Sequence, residues 1–179
     1  MAFNVIQGVL VDLSRFRSLL GDPLWLGNPE TEWRDFEERN SLSLPFEYKE
    51  FVSAYGPGCL NDQMLIFHPD GDPDEGLSLD WLLASVHASY AALRSDSPEL
   101  YPFPVHPDRG GLIPVGRSYG GNYLLLAPPA PDKRDWQVVV DMGEWASFDM
   151  SFTDFLWRAL RRDIYLPVFS GEPSFELME

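Results

Sequence analysis

The stretch 44–74, LPFEYKEFVSAYGPGCLNDQMLIFHPDGDPD, constrains the fold more than any other part of the chain. Leu44, Tyr48, Phe51, Val52 and Tyr55 recur at i, i+4, i+7, i+8 and i+11, one stripe of a helix with about 3.6 residues per turn. Pro45 suits the first turn, where a missing N–H costs nothing, and Gly56 is placed to end the helix. Met64–Phe67 reads as a short buried strand closed by His68-Pro69. Asp70, Asp72, Asp74 and Glu75, interleaved with Gly and Pro, then read as an acidic loop. Helix, turn, strand and charged loop within one stretch predict an α+β domain, since a helix and a strand must bury their apolar sides against each other or a common core.

The chain around it continues the pattern. Val5, Val9, Leu10, Leu13, Phe16 and Leu20 have near-helical spacing, ended by Gly21-Asp22-Pro23. Asn28-Pro29 with Glu30 and Glu32 opens a second helix, whose face carries Trp33 and Phe36. Ser78 caps a long helix bearing Leu79, Leu82, Leu83, Val86, Tyr90 and Leu93, with Asp80 in its first turn. Prolines and glycines break every period over 95–111. Strand-like pieces follow at Leu112–Val115, Tyr123–Leu126, Gln137–Asp141 and Trp145–Phe148, joined by turns that suit an antiparallel meander. Pro114, which lacks an N–H, predicts an edge position for the first of them. Ser151 and Asp154 start a last helix, in which Asp154 and Arg158 can pair at i, i+4. The division that results is an extension over 1–28, one α+β domain over 29–166 and a Pro-bearing tail over 167–179. A chain of 179 residues, 45% apolar and 14% aromatic, has the material for one core.

Charge narrows the function classes. The chain carries 13 basic and 28 acidic residues, a net charge of −15. Residues 50–93 hold seven carboxylates and no Lys or Arg. Neutralising phosphates needs a basic surface, so direct nucleic-acid binding is not expected. A basic protein partner would be attracted and steered; solubility alone is the other explanation of the acidity. No apolar run approaches the ~20 residues of a membrane span, and no basic segment followed by an apolar block marks a signal peptide. Cys59 is the only cysteine, which fits a reducing compartment, and the cytoplasm is the expected location.

Motifs for catalysis or cofactors fail on inspection. Asp70-Gly71-Asp72-Pro73-Asp74 begins like a calcium loop, yet Glu75 stands at the sixth position and Trp81 at the twelfth. His68, His87 and His106 share no ligand spacing for zinc. Gly116-Arg117-Ser118-Tyr119-Gly120-Gly121 is neither a nucleophile elbow nor a phosphate loop, and a hairpin turn explains its glycines. Cys59 has no marked base beside it. The expectation is therefore a protein with no cofactor, no metal site and no active site.

Several of these features taken in order resemble the SUKH superfamily, the fungal cell-wall-regulator and bacterial toxin-immunity proteins. They are Trp33 and Glu37, Leu44-Pro45, Tyr48, Phe51 and Tyr55-Gly56-Pro57-Gly58, then the strand before Pro69 and Gly110-Gly111-Leu112-Ile113-Pro114-Val115-Gly116. Gly120-Gly121-Asn122, the Trp136–Val140 strand and Ser151-Phe152-Thr153-Asp154-Phe155-Leu156 complete the pattern over about residues 30–166. The resemblance implies an α+β fold with a mixed or antiparallel sheet flanked by helices. It also implies binding rather than catalysis, as in immunity proteins that neutralise toxins, often nucleases, passed between competing cells. A nuclease must be basic around its groove, so an acidic inhibitor would be steered there. On that reading the partner-binding residues are the acidic segment Asp70, Asp72, Asp74, Glu75 and Asp80, with Tyr55 and Trp81 as exposed aromatic anchors. Core packing is the alternative for both aromatics. The second functional class is a regulatory or scaffold adaptor that binds a cellular protein without any toxin. An acidic-site enzyme or calcium binder is the third.

Overall fold

The computed structural model describes residues 12–24, 29–72, 74, 77–132 and 134–178. The apolar positions at 5, 9 and 10 lie outside them. The described elements are α1 (Ser14–Leu20), α2 (Pro29–Asn40), α3 (Phe46–Tyr55), β1 (Gly58–Leu60), β2 (Met64–Ile66), α4 (Leu79–Asp96), β3 (Ile113–Ser118), β4 (Tyr123–Ala127), β5 (Gln137–Asp141), β6 (Trp145–Phe148), α5 (Phe152–Leu160) and β7 (Phe175–Leu177). A 3-10 turn at Pro167–Phe169 precedes β7.

α4 and α5 start where their capping chemistry predicts. The Ser78 hydroxyl accepts from the Trp81 N–H at 3.3 Å, and the Ser151 hydroxyl from the Asp154 N–H at 3.2 Å. Pro45 stands at the N-terminal edge of α3, and the Gly56 N–H closes its end on the Val52 carbonyl at 2.7 Å. The expected stripe of α4 is buried through Tyr90, while Leu93 is exposed.

All seven strands pair antiparallel in the order β6-β5-β4-β3-β2-β1-β7. The meander expected from the turns is present. The edge position expected for the Pro114 strand is not: β3 lies mid-sheet between β2 and β4. The register shifts between Pro114 and Gly116, and that bulge accommodates a residue with no N–H to give.

Tyr123, Asp141 and Trp145 form one rung of the sheet and share a face. Tyr90 of α4 packs on that rung, 5.6 Å from the Tyr123 ring and 5.9 Å from the Trp145 ring. Phe148 points to the opposite face, where its ring lies 5.0 Å from Phe155 of α5. With helices on both faces, Leu124–Leu126 and Val138–Val140 are buried without alternation. That double coverage makes these runs continuously apolar.

Both segments expected to flank the domain enter its core. Phe16 of α1 is fully buried, 5.2 Å from the Phe51 ring and 5.8 Å from Trp157. Arg15 pairs with Asp154 at 2.9 Å, in place of the expected Asp154–Arg158 pair. At the other end β7 adds to β1, and Phe169 is buried against Phe155. Gly58 permits this pairing: a Cβ there would stand 2.3 Å from the Glu176 carbonyl oxygen. Buried Asn61 holds the segment, its Nδ2 donating to the Phe169 carbonyl at 3.3 Å and its Oδ1 accepting from the Ser174 N–H at 3.2 Å.

Candidate functional site

The acidic segment expected to meet a partner is a loop tied at its neck. His68, fully buried, donates its N–H to the Leu77 carbonyl at 3.1 Å, and its own carbonyl accepts from Gly71 and Leu79, both at 3.0 Å. Its Nδ1 accepts the Asp70 N–H at 3.0 Å, so the neutral ring carries its proton on Nε2, which faces the Glu32 carboxylate of α2 at 3.8 Å. Burial pushes His68 down to about 4, with Asp70 opposing more weakly, and the ring is neutral at physiological pH. Gly71 passes so close to the other side of the neck that a Cβ would stand 2.1 Å from the Leu77 carbonyl oxygen. The Asp74 N–H donates to Asp72 Oδ1 at 2.7 Å, a local turn that shapes the arm.

From this neck Asp70, Asp72 and Asp74 project as exposed residues, and none of them is in an ion pair among the described residues. Glu75 lies outside the described residues. Trp81 is 38% exposed, its ring stacked on Phe67 at 6.3 Å between centroids. It stands at the edge of the loop with one side available.

Two expected site residues are placed otherwise. Tyr55 is buried, 2% exposed, stacked 4.9 Å from Phe51, and donates its hydroxyl to the Gly21 carbonyl at 3.1 Å. The expectation of an exposed anchor there is corrected: the helical stripe that marked Tyr55 faces the core. Asp80 is partly exposed but engaged. It accepts from Arg39 Nε at 3.0 Å and from Asn40 Nδ2 at 2.7 Å, joining α4 to α2. Those hydrogen bonds raise Arg39 above its ordinary range against the opposing effect of partial burial, and the charges of Asp80, Asp70 and Asp35 add to it.

Arg39 and Asn40 of α2 therefore adjoin the start of α4, and neither was among the expected partner-binding residues. Both follow Phe36 on one side of α2, with the Arg39 guanidinium 5.4 Å from the Phe36 ring centre, so the signal was faint: polar groups at the edge of an apolar face. The charges of Asp80 on α4, Asp70 on the loop and Asp35 on α2 all act on Arg39.

His87 and His106 border this junction of α2 and α4, lining a pocket with Arg39, Asn40 and Asp80. Burial pushes the Cys59 thiol up, further from the thiolate a nucleophile needs. His87 Nε2 stands 3.4 Å from Asp108 Oδ1 beside His106, whose pKa burial lowers. Among the described residues, no three His, Cys, Asp or Glu side chains are grouped to hold a metal ion. No helix among them is long and apolar enough to cross a membrane.

The family model described as SMI1 / KNR4 family (SUKH-1) matches residues 27–158, from just before α2 through most of α5. No curated protein matches the chain significantly. The matched span excludes α1, the 3-10 turn and β7, the pieces that pack onto its two ends.

Proposed function

This chain belongs to the SMI1 / KNR4 family (SUKH-1), and from that premise we propose that it is a non-catalytic binding protein that neutralises a basic toxin domain, a nuclease for example, inside the cell. The observation that carries the proposal is the set of three exposed carboxylates, Asp70, Asp72 and Asp74, beyond a hydrogen-bonded neck, none of them in an ion pair among the described residues. Such a feature attracts a positive surface and accelerates its approach. Trp81 supplies an apolar anchor at the edge of the charge, the arrangement in which aromatic contacts hold and rim charges steer.

The engaged state of Asp80 divides the acidic residues into two roles. Asp70, Asp72 and Asp74 meet the partner, while Asp80 holds α4 to α2 and keeps the face rigid. Residues 29–166 form the binding domain, with the two flanking segments bracing it.

The test is affinity capture with the full chain, followed by co-expression of each captured basic protein with and without it. Restored growth against a toxic partner supports an immunity role. A captured partner that is harmless when expressed alone, yet is retained specifically, moves the assignment to a regulatory or scaffold adaptor. Capture of acidic proteins alone contradicts both.

A further inference from the structure

A groove of about 620 Å³ runs between α2 and α3, on a side of α2 that the acidic loop does not use. The two helices form an antiparallel hairpin. Trp33 Nε1 donates to Ser53 Oγ at 2.7 Å, and Lys49 Nζ donates to Glu37 Oε1 at 2.9 Å, so later residues of one helix meet earlier residues of the other. Glu37 Oε1 also accepts the Leu44 N–H at 2.7 Å, which locks the Lys49–Glu37 pair to the connecting turn.

Phe46, the first residue of α3, stands in this groove 49% exposed, and buried Trp33 contributes to its floor. Around them are Glu30, Glu38 and Glu50, none in an ion pair among the described residues. The two bases in the wall are already engaged, Lys49 with Glu37 and Arg34 with Asp35 at 3.1 Å. Glu30 and Glu38 are two helical turns apart, about 12 Å at the usual helical rise. The groove thus offers an exposed aromatic face bordered by unsatisfied negative charge over the length of a short peptide.

We infer that this groove is a second docking surface, and that it takes a short basic segment of the partner protein, an arginine or lysine next to an apolar residue. One cation lies over the Phe46 ring, where the ring quadrupole attracts it, and the Glu30, Glu38 and Glu50 carboxylates along the groove receive the positive charges of the segment. The apolar neighbour covers the remainder of the aromatic floor. An arginine suits the site better than a lysine, because its flat guanidinium can stack and bridge carboxylates together. This rests on the reading that the chain binds a basic protein, and extends it by giving the segment a place separate from the acidic loop.

The test is an NMR titration of the isotopically labelled full chain with acetyl-Arg-Leu-Arg-amide, and with acetyl-Glu-Leu-Glu-amide as the control. Saturable shifts of the Trp33 indole N–H and of the amides around Phe46 and Glu50 are expected with the basic peptide only. Phe46→Ser should weaken that binding at least about fivefold, and Glu30→Gln/Glu38→Gln/Glu50→Gln should weaken it similarly, with thermal melts checking that both variants fold. Wild-type affinity in both folded variants, or no saturable shift over 30–50, overturns the groove. Shifts confined to 68–81 overturn the groove while leaving the acidic loop as the binding element. Shifts confined to the groove support it and count against the loop.

Discussion

Arg39 and Asp80 lie 41 residues apart in the chain and meet as a two-pronged pair that joins the second helix to the fourth, with Asn40 donating to the same carboxylate. The pair is partly exposed, so its electrostatic contribution is screened and modest. Asp80→Ala should lower stability by about 1 kcal/mol while leaving the partner's association rate close to wild type. Urea unfolding and stopped-flow binding on the same variant check this. Loss of binding with no loss of stability would assign Asp80 to the interface instead.

His68 predicts a pH dependence of folding. Its pKa falls to about 4 in the folded chain from an ordinary value of 6.5. Between these values the unfolded chain binds a proton that the folded chain refuses, so stability rises with pH across that window. It is fully present above about pH 6.5, declines as the pH is lowered toward 4, and levels off below, at a total of no more than about 3 kcal/mol from this group. Urea midpoints across pH 7.5 to 4 measure the slope, and NMR of the His68 ring should show no titration above about pH 5.

The C-terminal segment is expected to be structural. Phe169 is 1% exposed and packs on Phe155 at 6.0 Å. Phe169→Ala should cost about 3–5 kcal/mol, and Asn61→Ala should lower the protection of the β7 amides in hydrogen exchange. A dispensable tail would give variants as stable as the parent.

Tyr90 donates its hydroxyl to the buried Asp141 carboxylate, which also accepts the Gly143 N–H at 3.0 Å. Tyr90→Phe removes one donor from a carboxylate that water cannot reach freely. The expected loss is about 1–3 kcal/mol in thermal or urea unfolding, with no effect on partner binding at the far loop.

Much of this architecture could be read from residues because several signals agreed at each element. Ser78 and Ser151 mark helix starts by chemistry that acts within three residues, and the structure keeps both caps. Gln137–Asp141 and Trp145–Phe148 lie between strong turns, and both strands have those bounds. By contrast β1 and β7 are three residues each, too short for any periodicity, and β7 exists only because β1 is there to pair with it. Pro114 misled because a missing N–H is tolerated at a bulge as well as at an edge. In the site, the acidic loop was visible as composition. Tyr55 follows its helical spacing inward, as core packing required and an exposed anchor did not, and the partner of Asp80 was hidden because Arg39 is distant in sequence. Local chemistry was legible; pairings made by tertiary contact were not.

The central claim is that Asp70, Asp72 and Asp74 steer a positively charged protein to this surface. The direct measurement is the stopped-flow association rate of the captured partner with wild type and with Asp70→Asn/Asp72→Asn/Asp74→Asn, across ionic strengths from about 10 to 300 mM. The account predicts a wild-type rate that falls steeply with salt and a variant about tenfold slower at low salt, with a much flatter dependence. Superimposable salt curves for the two proteins would contradict it.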